Sequence, residues 1–446
     1  MNTRLAVVPH SGTVAIKGAT VVDSNGSRQA DVLVGDGRII AVQAADDAAD
    51  LTAERTLDAS GCVVAPGLVD LHVHLRQPGR EDAETVETGA RGAALGGFTA
   101  VIAMPNTTPA IDSAAVVREV QDLGAGTCCD VYPSAAITLG RRGEELAPMA
   151  ELVRLGVRMF TDDGAGVQSA MVMRRALEYA SGLDHLNGGA AVVLAQHCEV
   201  EELSVGGCMH EGEWSSRLGL GGQPAEAEEL MVMRDIALAR LTGSRVHFQH
   251  LSTAGSVAMV RAAKQAGLPV TAEATTHHFT LTDACCADYD TVFKVHPPLR
   301  PEADVAALRS GLADGTIDAI ATDHAPHTSD DKDKPFDSAP PGMLGLETAL
   351  ALALTELDLP IEQILALMSW QPAAIAGVDD RHGRPVAPGE PANLCVIDPS
   401  ATWTVSGEEM ACPSRNTPYE GRQLKGRVRH TLLASEPVVI NGEAQR

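Results

Sequence analysis

The sequence predicts an α/β protein: a parallel (β/α)8, TIM-like barrel carrying a small β-sandwich satellite domain built from both chain termini. Three observations predict it. Apolar strand-like runs alternate with helix-like stretches eight times between residues 66 and 376. Short strand-like runs joined by turns crowd both ends of the chain. Histidines and aspartates recur just past the predicted strands, at the face where such a barrel keeps its active site.

Residues 13–65 read as short strands, and Val32–Ile40 is two apolar runs joined by an Asp36-Gly37 turn, a strong hairpin signal. So small a sheet cannot stand alone. The runs Ala392–Asp398, Trp403–Val405 and Pro437–Gly442 look alike, so residues 1–65 and 377–446 are expected to meet in one satellite. The body, 66–376, opens on the apolar run Val63–Val69, of the kind buried on both faces. Further strands are expected at Phe98–Met104, Cys129–Tyr132, Val157–Phe160, Ala191–Ala195, Arg245–Phe248, Pro269–Glu273 and Asp318–Ala321. Ser113–Leu123 and Ser256–Ala266 are among the helical stretches between them. Insertions at about 200–226 and 328–342 fall on the active-site face, and the second, polar and proline-rich, reads as a mobile lid.

A chain of 446 residues suits one large barrel plus a satellite, and its 45% hydrophobic share is that of a globular enzyme. A net charge of -25 argues against nucleic-acid and membrane-surface partners, whose phosphates it would repel. An anionic substrate would therefore need a local positive site. No run of about 18 uncharged apolar residues suggests a membrane helix. Met1–His10 has too short an apolar stretch for a secretory signal. The nine cysteines are odd in number and scattered, forming neither a disulfide framework nor a zinc ribbon. Reduced thiols in the cytoplasm are expected, with Cys198 a buried structural thiol.

His72 and His74 stand two apart on a predicted strand and so point the same way, half of a chelate for a metal such as zinc. Arg76 follows just past the strand end, placed to hold an anion near that metal. The fourth strand runs into Asp162 and Asp163, the fifth ends in His197, the sixth in His250 and the eighth in Asp323. Each alone has a plain explanation as a cap, a turn residue or a hydrogen-bonded histidine. Together they put imidazoles and carboxylates around one ring. Four imidazoles and two carboxylates suffice for two metal ions, and a hydroxide shared between such ions is a nucleophile near neutral pH. Asp323 is the candidate general acid/base, passing that proton to a leaving nitrogen. The chemistry expected is hydrolysis at a carbonyl attached to nitrogen, or its reversal.

His72-Val-His-Leu-Arg76, Met104-Pro-Asn-Thr107, Phe160-Thr-Asp-Asp-Gly164, Gln196-His-Cys-Glu199, His250-Leu-Ser252 and Ala321-Thr-Asp-His-Ala-Pro-His327 resemble dihydroorotase of the class I type, in the amidohydrolase superfamily. The likeness runs from about residue 13 to 440. The resemblance implies interconversion of N-carbamoyl-L-aspartate and L-dihydroorotate in pyrimidine biosynthesis. It also implies a zinc centre of one or two ions, two being favoured. His72 and His74 would bind the first zinc, His197 and His250 the second, and Asp323 would complete the first. Many relatives bridge the ions with a carboxylated lysine; here Arg158-Met-Phe160 offers none, which gives the bridge to Asp163, with Asp162 its rival. Arg76, Asn106 and His327 would hold the substrate carboxylate, since a guanidinium fork and an amide both match one.

Two departures stand out. His296 replaces the asparagine often found before Pro-Pro-Leu-Arg, and Pro341 precedes Gly342 where phenylalanine is frequent. His296, Pro341 and Gly342 are expected beside the substrate. His277 and His278 are expected to orient ligands or to pack, and His324 to pack or hydrogen-bond. The alternatives are a hydantoinase or allantoinase, and a metal-free structural partner of aspartate transcarbamoylase. Arg76 and Asn106 argue against the first, and the intact set of candidate ligands against the second. Class I relatives often assemble with aspartate transcarbamoylase, a partner the resemblance implies, and a homo-oligomer is expected.

Overall fold

The computed structural model describes residues 12–44, 51–187 and 192–446. The stretch read for a secretory signal and Ala191 of the fifth expected strand lie outside them.

Leu68–Val73, Phe98–Ala103 and Asp130–Pro133 pair in parallel, in that order. Five further strands, Met159–Phe160, Val193–Gln196, Val246–Phe248, Val270–Thr275 and Ala319–Ala321, do the same. Parallel bridges Ala135–Phe160 and Val73–His324 join the two groups at both ends. Each strand is followed by a helix, from Val86–Leu95 after the first to Ala349–Glu356 after the last. Every residue of the first two strands is buried, as expected of strands covered on both faces. Leu68, Val73, Phe98 and Val101 join the large core under the helices, whereas Val69, Leu71, Ala100 and Ile102 cluster with Met159, Ala195 and Ala319. Asp70 fastens the first strand to the last: its carboxylate accepts from the Thr322 N–H at 3.1 Å and the Thr322 hydroxyl at 2.6 Å.

The apolar run Val63–Val69, expected as one strand, is two. Val63–Pro66 pairs antiparallel with Leu394–Thr404, and a new strand for the body starts at Leu68. Gly67 makes the break: a Cβ there would lie 2.2 Å from Thr99 Cγ2, so only glycine lets the backbone pass. An apolar run does not reveal that it serves two sheets.

In the satellite the described strands from both chain ends are hydrogen-bonded into one mixed sheet of nine strands. From one edge the order is Glu443–Ala444, Glu436–Ile440, Gln423–Leu433, Leu394–Thr404, Val63–Pro66, Val14–Asp23, Gly26–Gly35 and Arg38–Ala44, with Arg55–Asp58 beside Val14–Asp23. Asp36 and Gly37, with φ of 50° and 78°, make the expected hairpin turn. Alternation along the strands supplies two apolar faces. Val64 and Val396 join a core within the sheet, while Val63, Ala65, Cys395 and Ile397 pack on the body. That shared apolar face, more than any linker, holds the satellite.

The 328–342 segment, expected as a mobile lid, is fastened at several points. Lys332 Nζ donates to the carbonyls of Thr291 and Pro340, and Lys294 Nζ to those of Phe336 and Asp337. Gly342 N–H reaches the Lys294 carbonyl at 2.8 Å, and Arg80 pairs with Asp331. Among the described residues no helix is long and apolar enough to cross a membrane.

Candidate metal and substrate site

The carboxyl ends of the parallel strands bring the predicted donors together. Asp163 Oδ1 lies 3.3 Å from His72 Nε2, 3.5 Å from His197 Nδ1 and 3.8 Å from His250 Nε2, and Asp163 Oδ2 lies 3.6 Å from His74 Nε2. Asp323 Oδ1 is 2.8 Å from His74 Nε2 and 3.5 Å from His72 Nε2. Donors sharing a tetrahedral ion at bonds of about 2.0–2.2 Å sit about 3.3–3.6 Å apart, so most of these separations suit metal ligation. His72, His74 and Asp163 form one group with metal-binding geometry, and Asp163, His197 and His250 another. Asp163 belongs to both. Asp162, its neighbour on an extended stretch, turns the other way and is held by the Thr138 N–H and hydroxyl. Burial works to raise the Asp163 pKa, but the His72, His197 and His250 imidazoles around it hold it well below the usual carboxylate range.

The residues behind this cluster decide which nitrogens face inward. His72 Nδ1 meets Glu273 Oε1 at 2.8 Å, so the proton sits on Nδ1 and the Nε2 lone pair turns to the aspartates. That Nε2 is buried and, among the described residues, has no hydrogen-bond partner, so its lone pair fits the role of a metal ligand. His74 Nδ1 likewise donates to Asn106 Oδ1 at 2.9 Å. Glu273 also accepts from His247 Nε2 and the His250 N–H. Against the upward push of burial, His247 and His72 bring its pKa down to about 2.

Above the cluster opens a pocket of about 560 Å³ lined by every residue expected at the site except His72, which lies beneath it. Arg76 enters from the first strand end with Nε donating to the Pro326 carbonyl at 3.0 Å. Burial lowers its pKa to about 10, which leaves it charged at neutral pH. Asn106 accepts from His74 and donates to Asp163 Oδ2 at 3.1 Å, so one amide proton is left for a ligand. His296 is half-buried with a buried, unpartnered Nε2, and desolvation lowers its pKa to about 4. His327 Nε2 donates to the Pro341 carbonyl at 2.8 Å. At Gly342, with φ of 140°, a Cβ would come within 2.9 Å of His327 Nε2 and 2.7 Å of the Ala325 Cβ. Gly342→Ala is therefore expected to displace His327 and lower kcat/KM about 10- to 100-fold, mostly through KM. Steady-state kinetics on the folded variant measures it.

Sequence reasoning missed Glu273, Asn416 and Arg141. Glu273 carried a signal, a carboxylate amid the apolar residues of Val270–Thr275, where burial without a partner would be costly. Asn416, far along the chain, accepts the His327 N–H and donates to the carbonyls of Ala325 and Gly342. His278 bonds Thr275 and the Pro297 carbonyl, whereas His277 Nε2 is buried and unpartnered. Cys198 is buried, its thiol pushed well up by desolvation.

Glu84, His324 and Cys412 make another buried group with metal-like spacing. There, however, the Gly345 N–H donates to His324 Nδ1, which puts the proton on Nε2, and Nε2 donates to Glu84 at 3.0 Å. The nitrogen facing Glu84 has no free lone pair, so this group is a hydrogen-bonded support for the strand end carrying Asp323.

A Dihydro-orotase-like family model matches residues 61–256. Dihydroorotase from Pelotomaculum thermopropionicum is 49% identical over 430 residues, covering 95% of this chain and 98% of the relative. Dihydroorotase from Mycobacterium tuberculosis is 48% identical over 421 residues, covering 93% and 95%. Among solved structures, L-hydantoinase from Arthrobacter aurescens superposes with a TM-score of 0.85 at 24% identity, covering 97% of each chain. D-hydantoinase from Bacillus sp. AR9 gives 0.81 at 23%, covering 97% of this chain and 96% of that one. At such identities the hydantoinases share the fold. Identities of 48% and 49% over more than nine-tenths of both chains say more: the chain belongs to the dihydroorotase family.

Proposed function

We propose that this chain is a zinc-dependent dihydroorotase, interconverting N-carbamoyl-L-aspartate and L-dihydroorotate in pyrimidine biosynthesis. The observation that carries the metal reading is His72 Nε2, oriented by Glu273, buried without a partner and facing both Asp163 and Asp323. His72, His74 and Asp323 would hold one ion, His197 and His250 a second, and Asp163 both. Zinc suits an all-imidazole-and-carboxylate donor set, and when bound it supplies a polarised carbonyl and a more acidic water.

The chain's own groups do the rest. Arg76 anchors the ring carboxylate with its terminal guanidinium nitrogens, one of them 3.3 Å from His327 Nε2, helped by the remaining Asn106 proton and by His327. His296, Pro341 and Gly342 wall the pocket above it. Asp323, 2.8 Å from His74, takes the proton that attacking water releases and gives it to the ring nitrogen as the C–N bond breaks. In the cyclising direction the same carboxylate takes that proton from the ureido nitrogen. Arg76→Met is expected to raise KM for dihydroorotate about 10- to 100-fold, the worth of a charge-assisted pair, with metal content unchanged. An unaltered KM would refute the anchoring role.

The reading of the body (66–376) as a (β/α)8 barrel is supported by the two bridges that link its strand groups, and the division into 1–65, 66–376 and 377–446 by the mixed sheet. A homo-oligomer is supported by Leu230, Met233 and Leu241, exposed on one helix at spacings that keep them on one side of it. Aspartate transcarbamoylase as a partner rests on the family resemblance, and a cytoplasmic location on nine cysteines that are all free. The test of function is turnover by the zinc-loaded protein of dihydroorotate against hydantoin and allantoin. Dihydroorotate is expected to be the preferred substrate by about 10²-fold or more, since a site built around a carboxylate rejects analogues lacking one. Preference for either neutral ring would overturn the proposal.

A further inference from the structure

Four residues other than glycine take up a left-handed backbone around this pocket: Arg76 (φ 59°), Arg141 (56°), His250 (33°) and Asp323 (45°). Such conformations persist where the surroundings enforce them, and they gather at functional sites. Three of the four are expected at the site from sequence. Arg141 is not, and nothing in the mechanism above uses it.

Arg141 closes the short turn Leu139–Arg141 that follows the third body strand. Its Nη1 donates to the main-chain carbonyl of Asp163 at 2.5 Å. Its Nε is buried and, among the described residues, has no hydrogen-bond partner, so the guanidinium has been drawn into the protein for the sake of its other nitrogens. The turn is itself braced. Thr138 binds the Asp162 carboxylate, the Gly143 N–H binds the Thr138 hydroxyl at 2.9 Å, and the Gly140 N–H binds Asp112 at 2.8 Å. On the pocket side, a Cβ built on Gly164 would be 3.7 Å from both Arg141 Nη1 and Asn106 Nδ2. Asp163 is thus gripped from two directions, its carbonyl by Arg141 and its Oδ2 by Asn106.

Why that grip matters follows from reach. An aspartate carboxylate is separated from the backbone by one methylene, so it has no slack: where the peptide sits, the carboxylate sits. Asp163 has to present oxygens to His72 and His74 on one side and to His197 and His250 on the other. We propose that Arg141 is the positioning residue for Asp163, fixing its peptide so that one carboxylate serves both histidine pairs. This rests on the metal reading above.

The experiment removes metal from the parent, Arg141→Gln and Arg141→Lys with a chelator and titrates each with Co2+, following visible absorption, before measuring kcat and KM on the zinc forms. In Arg141→Gln, Co2+ is expected to bind about 10- to 100-fold more weakly, the usual cost of losing a group that orients a ligand. Its absorption spectrum is expected to change, and kcat to fall with little change in KM. Arg141→Lys, which keeps a charged donor without the planar fork, is expected between the two. It carries the test alone if the glutamine variant does not fold. Parent-like Co2+ affinity and spectrum in the variants would overturn the proposal whatever happens to turnover. So would a raised KM with kcat and metal binding intact, which would make Arg141 a substrate contact. A parent that takes up no metal would overturn this inference and the metal reading together.

Discussion

Asp323→Asn is expected to fold as the parent does and to lose turnover by about 10³-fold, the worth of a well-placed general acid/base. Asparagine is the informative replacement. Position 323 has φ of 45°, which asparagine tolerates and alanine resists. It also keeps the shape that touches His74 while removing the ability to accept and release a proton. In the parent, burial tends to raise the Asp323 pKa, but the neighbouring His72 and His74 imidazoles hold it below the usual carboxylate range. The group is therefore ionised at neutral pH and ready to take a proton. The measurement is kcat at saturating dihydroorotate, with circular dichroism confirming the fold. A kcat within a few-fold of the parent would end the proton-transfer role.

Asp163→Ala should do comparable damage by a different route. Its carboxylate is common to both groups of candidate ligands, so its removal leaves the two histidine pairs with no carboxylate shared between them. Turnover is expected to fall by about 10³-fold or more, because the water that attacks the ring loses its activation. The sharper readout is thermal. Zinc at about 100 times its Kd should stabilise the metal-free parent by about 2.7 kcal/mol and the variant by much less. Equal stabilisation of both, together with parent-like metal content, would remove Asp163 from the metal site. Asp162→Asn is the natural control, since Thr138 holds that side chain away from the histidines.

The parts of this site that could be read from the sequence were those obeying a local rule. His72, His74, His197, His250 and Asp323 each follow an apolar strand, and residue type plus strand period was enough to gather them. The adjacent aspartates could not be separated, because neighbours on an extended chain face opposite ways and nothing local fixes the phase. The structure fixes it through Thr138. Glu273 went unread because a carboxylate within a strand acquires meaning only from its partner, and His72 is 201 positions away. Arg141 went unread because it lies in a turn and acts on a carbonyl, which every residue has. At the level of the fold, turn chemistry gave the Asp36-Gly37 hairpin directly. The break at Gly67 and the single mixed sheet depended on Thr99 and on distant strand pairing, which periodicity does not encode.

The seam between the first and last body strands has one more consequence, for how the protein is made. Asp70 meets Thr322 across 252 positions, and Asn416 must arrive later still to tie down Ala325 and Gly342. Until then the polypeptide can offer passing ions only donors that the closed strand ring does not yet hold in place. Selective loading belongs to the finished chain alone.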